Sequence, residues 1–88
     1  SNEYVVMKIR TALLDLFAQD YLSAIIDLNV HVAEALIGSG LLKKDIEKIY
    51  KGKKLFIVPH KTYHHEFFIV KGDNSLTPEL PQNAVEIQ

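Results

Sequence analysis

The first half of this chain carries more apolar surface than so short a protein can readily hide. At helical spacing, residues 3–18 place Val6, Ile9, Leu13, Leu16 and Phe17 on one face. Val5, Met7, Ala12 and Leu14 widen that stripe past half the circumference, leaving Lys8, Thr11, Asp15 and Gln19 as the polar strip. Residues 21–37 read as a second helix of the same kind, covered by Leu22, Ile25, Ile26, Leu28, Val32, Ala33, Leu36 and Ile37. Its one polar strip is Asp20, Ser23, Asp27, His31 and Glu34. A helix that is apolar most of the way round belongs in an interior. A chain of 88 residues buries only roughly 60–65% of the surface its unfolded form exposes. The surplus predicts a partner, either a second copy or the rest of a larger protein.

Local signals divide the chain further. Asp20, with Ser23 assisting, is the expected N-cap of the second helix, and Gly38-Ser39-Gly40 its end. Residues 41–51 read as a short third helix with Leu42, Ile46, Ile49 and Tyr50 inward, stopped by Gly52. The period then changes to that of strands. Leu55 to Val58 and Tyr63 to Val70 are expected to pair as an antiparallel hairpin across a turn at Pro59-His60-Lys61-Thr62. Residues 75–83, with Pro78 and Pro81, read as an extended loop, and 85–87 as a short third strand or a frayed end. The expected fold is α+β in one domain over 1–88. An N-terminal helical hairpin and a short third helix (3–51) are followed by an antiparallel β-hairpin (52–72) and an extended tail (73–88). The chain does not begin with Met, and Ser1-Asn2 reads as a tag remnant, so a piece of a longer protein is expected.

Composition excludes several chemistries. There is no cysteine, hence no disulfide, thiolate metal site or Cys nucleophile, which fits a cytoplasmic protein. No stretch is apolar enough to insert into a membrane, because Ser23, Asp27, Asn29, His31 and Glu34 interrupt the longest candidate. Net charge is −1, but it is unevenly spread: −3 over residues 1–40, +5 over 41–61 and −3 over 62–88. The overall value argues against a dedicated nucleic-acid binder. The basic segment still offers Lys44, Lys48, Lys51, Lys53 and Lys54 as an anion-binding or nucleic-acid-binding set, with Tyr50, Phe56 and Tyr63 nearby to stack. It has no Arg to read bases.

Two groups carry potential metal ligands. Asp27, His31 and Glu34 share one face if 21–37 is a helix. His60, His64 and Glu66 offer imidazole and carboxylate around the second strand. In each case a solvated polar face explains the same residues, and no metal or other cofactor is assigned. His65-Glu66 opens like the zinc-protease motif HExxH, but the position of the second His is Ile69. No serine lies in a nucleophile elbow, and no glycine loop has phosphate-binding spacing.

The stretch VHVAEALIGSGLLKKDIEKI, Val30 to Ile49, resembles the late helical region of FtsH-type AAA+ zinc proteases. In that family an Ala-Glu-Ala-Leu helix is followed by a turn and a helix with an acid-Ile pattern. The resemblance implies a helical accessory or oligomerisation segment. It carries over no catalytic residue, because the zinc motif is absent. The leading expectation is therefore a non-catalytic association module, with Val6, Ile9, Leu13, Ile25, Val32 and Leu36 in the core or interface. Arg10 and Asn29, polar groups inside apolar arcs, would set the register. Anion binding through the lysines and an accessory role in a metal-dependent enzyme are the alternatives.

Overall fold

A computed structural model describes residues 2–88. Ser1, half of the expected tag remnant, lies outside the described residues. The chain is mixed α and β, in the order α1 (Asn2–Phe17), β1 (Ser23–Asn29), α2 (Val30–Ser39), α3 (Leu41–Lys48), β2 (Lys54–His60), β3 (Phe68–Asp73) and β4 (Val85–Glu86).

The second expected helix is half strand. Ser23-Ala-Ile-Ile-Asp-Leu-Asn29 forms β1, every residue of it buried, and the helix starts only at Val30. A strand covered on both faces reads as a continuous apolar run, and over seven residues that run also satisfies helical spacing. The adjacent β-branched Ile25 and Ile26 favour the strand. The cap moves accordingly from Asp20 to Asn29. Asn29 has φ −53° and ψ 139°, and its side-chain oxygen accepts from the backbone N–H of His31 (2.8 Å) and Val32 (3.2 Å). Gly40, at φ 73°, closes α2 in the left-handed conformation that glycine adopts without cost.

The expected antiparallel hairpin is also corrected. Sheet order is β3-β1-β2-β4, so β1 separates the two strands thought to pair. β1 runs parallel to β2, with Ile26 opposite Ile57, and antiparallel to β3, with Ile26 opposite Val70. β4 joins antiparallel at the far edge of β2. The parallel pair needs a crossover connection, which α2 and α3 supply. Pro59 and His60 are the end of β2 rather than a turn, and residues 63–67 are loop.

One face of the sheet carries the helices. Ala24, Ile26 and Leu28 of β1 and Leu55 and Ile57 of β2 meet Val5, Ile9 and Leu13 of α1, Val32, Ala33 and Leu36 of α2, and Leu42 of α3. Each fully buried Leu or Ile there contributes about 2 kcal/mol by leaving water. The opposite face holds Ile25, Phe56 and Val58, covered by Leu80 and Ala84 of the tail. Ser23 Oγ donates to the Ser75 carbonyl (2.8 Å) and Asn83 Nδ2 to that of Pro59 (3.0 Å), which ties the tail down.

Candidate functional site

The structure places most of the expected interface residues in the core of the chain itself. Ile9, Leu13, Val32 and Leu36 lie under the helical layer, Ile25 lies under the tail, and Val6 packs partly buried against the core. Arg10 and Asn29 both have internal partners. Arg10 grips Asp45 of α3 through Nε and a terminal nitrogen, both at 2.8 Å, while Asn29 caps α2 and donates from Nδ2 to the Tyr63 carbonyl (2.8 Å). The hydrogen bond and charge of Asp45 raise the Arg10 pKa further above its ordinary value.

What remains apolar and exposed on α1 is a second stripe. Tyr4, Met7 and Leu14 are each more than half exposed, and Thr11 and Ala18 are exposed between and beyond them. Their spacing is 3, 4, 3, 4, the a/d repeat of a helix seam that packs against another helix. The inward face follows Val5, Ile9 and Leu13. The helix thus has two apolar faces, and only one is covered by the chain. Lys8 and Asp15 flank the outer seam on one side. Lys8 Nζ lies 5.2 Å from the centre of the Tyr4 ring. On the other side a cleft of about 410 Å³ opens between α1 and α3, with Met7, Leu14 and Ile49 along it and the Arg10–Asp45 pair in its wall.

The anion-binding set is dispersed. Lys44 and Lys48 are exposed on α3 and Lys51 is exposed after it, whereas Lys53 donates from Nζ to the Tyr21 carbonyl (2.6 Å) and Lys54 is half-buried at the start of β2.

Of the metal-ligand candidates, the structure brings together one from each group. Asp27 of β1 and His60 of β2 meet at 2.7 Å, Oδ1 to Nε2. His31 and Glu34 are exposed on α2, and His64 and Glu66 lie exposed in the β2–β3 loop. Among the described residues, no group of three or more His, Asp or Glu side chains converges to hold a metal ion. Sequence reasoning missed Lys71 of β3, whose Nζ is 3.5 Å from Asp27 Oδ2, and it missed Asp45 as the partner of Arg10. The signal for Lys71 was available only once β3 was known to lie beside β1.

Among the described residues, no helix is long and apolar enough to cross a membrane. Compared with known protein families, curated proteins and solved structures, the chain matches none.

Proposed function

We propose that this domain is an association module that pairs with a second copy of itself through the outer seam of α1. The observation that carries the reading is the exposed Tyr4-Met7-Thr11-Leu14-Ala18 repeat on a helix whose other face is already buried. Charge complementarity favours a second copy as the occupant. With two α1 helices antiparallel across a two-fold axis near Thr11 and Ala12, each Lys8 faces the partner's Asp15, and the contact forms twice.

The seam is about 21 Å long, from Tyr4 to Ala18 at the rise of an α-helix. That is short for an obligate interface, so the pairing is dissociable and depends on concentration. No step of this reading requires a cofactor. A cysteine-free core loses nothing in a reducing compartment, which suits a cytoplasmic module.

Sedimentation velocity over a wide concentration range tests the reading. The expected result is a monomer–dimer equilibrium that Leu14→Glu abolishes. Lys8→Glu weakens it by about tenfold or more, and adding Asp15→Lys restores it. A chain that stays monomeric at millimolar concentration contradicts the proposal, and so does a dimer indifferent to all three substitutions.

A further inference from the structure

On the sheet face opposite the helices, toward the ends of β1 and β2, Asp27 is a buried carboxylate flanked by a half-buried imidazole and an exposed ammonium. The residue is 7% exposed, and a carboxylate in that position is retained only when it is paired. Its partners come from the strands on either side. His60 of β2 reaches Oδ1 at 2.7 Å, and Lys71 of β3 lies 3.5 Å from Oδ2. Oδ2 has no hydrogen bond, so the ammonium faces it as a charge only.

This arrangement fixes His60 in advance of any ligand. With Asp27 ionised, and so only an acceptor, Nε2 is the donor of this bond and Nδ1 is the nitrogen left for a ligand. The ring is stacked on Tyr63 at 4.0 Å and 5°, and Phe67 meets Tyr63 edge-on at 5.0 Å. Asn29 holds the same loop through the Tyr63 carbonyl. Lys71 is more than half exposed, with N–H donors to spare. His31, Lys61, His64 and His65 are exposed at the same end of the sheet, together with Glu34 and Glu66.

We infer that this cluster binds the phosphate group of a small ligand, either free phosphate or a phosphomonoester. His60 and Lys71 are the contacting donors, and Asp27 is the positioning residue. A phosphate oxygen array accepts from two separated donors at once, and imidazolium and ammonium are both charge-assisted donors. In the complex the P–OH proton of the monoanionic phosphate passes to His60 Nδ1, which then donates back to that oxygen while Nε2 stays on Asp27. The cluster's charge becomes +1, with one carboxylate against two cations. A divalent cation fits poorly, because the Lys71 ammonium already faces the second carboxylate oxygen and, among the described residues, no third ligand converges. The site lies away from the α1 seam, so the two proposals stand or fall separately.

The test is an NMR titration of the whole chain with sodium phosphate and, separately, phenyl phosphate, at constant ionic strength. The expected result is saturable shifts centred on the His60 ring and Lys71. His60→Gln and Lys71→Met, each shown folded by the same spectra, should weaken binding about tenfold or more. Asp27→Asn should weaken it while both donors remain, and should change the His60 ring ¹⁵N shifts that report which nitrogen is protonated. Leu14→Glu should leave it unchanged. Tighter phosphate than phenyl phosphate assigns the free anion, and the reverse order assigns a phosphomonoester. Shifts centred on the α3 lysines overturn the inference, as does the absence of saturable change at His60 up to about 50 mM of either probe.

Discussion

The Arg10 guanidinium lies across Asp45 in bidentate geometry, at the boundary between α1 and α3. Asp45 is the buried partner and Arg10 the half-exposed one, so the two substitutions are not equivalent. Arg10→Met leaves a buried carboxylate without its donor and should cost about 1.5–3 kcal/mol in urea denaturation. A loss well under half that would mean that solvent takes over the role of Arg10. Tyr50 lies beside this pair, 5% exposed and 4.8 Å from the Phe17 ring. Burial raises its phenol pKa above the ordinary value and Asp45 raises it further, while Arg10 opposes them. The folded state therefore holds the Tyr50 proton more tightly than the unfolded chain does. Its contribution to stability is intact below the unfolded pKa of about 10 and is lost as pH rises from there through the folded value. In an ultraviolet titration Tyr50 should ionise above the ordinary tyrosine range, and Tyr50→Phe should flatten the alkaline loss of stability. The sequence already singled out Arg10 as a polar group inside an apolar arc. Its carboxylate partner could not be read, because position 45 meets position 10 only through the sheet.

Among the elements, α1 and α3 were legible and β1 was not, for one physical reason. Helical spacing identifies an element that has a wet side, and α1 and α3 have one. β1 has none: Ile25 is sealed by the tail and Ile26 by the helices. A run buried on both faces carries no period to read; Asp27 within it looked like part of a helix's polar strip, and Asn29 like a polar group inside its apolar arc. Asn29 is in fact the point where strand gives way to helix. Its side chain serves both α2 and the β2–β3 loop. Asn29→Ala should therefore cost about 1–2 kcal/mol, at the upper end for a cap, measured by thermal or chemical unfolding. Asn29→Asp should keep the cap and lose only the bond to the Tyr63 carbonyl. Equal losses in the two variants would show that the cap itself contributes little. The polar cluster was hidden by the same misreading. Asp27 and His60 were each singled out, but in separate groups, because only a parallel β1–β2 pair brings residue 27 beside residue 60.

For the whole molecule, the excess of apolar surface in the first half of the chain is resolved in two parts. Most of it is internal. β1 is an inner strand of the sheet rather than half of a helix, and Val32, Leu36, Ile9 and Leu13 pack around the sheet. What is left over is concentrated on the outer face of α1, where the 4-7-11-14-18 repeat was present in the sequence but merged with the inward stripe. Only the direction of the core separates the two. We propose that this remaining face pairs with a second copy, antiparallel about an axis near Thr11 and Ala12. Because the chain has no cysteine, a single introduced thiol reports that geometry directly. Thr11→Cys, placed beside the proposed two-fold axis, should form a disulfide-linked dimer under mild oxidation, and Leu14→Glu should suppress it. Gln82→Cys, exposed on the tail, should react far more slowly. Equal cross-linking at the two positions, or none at Thr11→Cys, would contradict the claim.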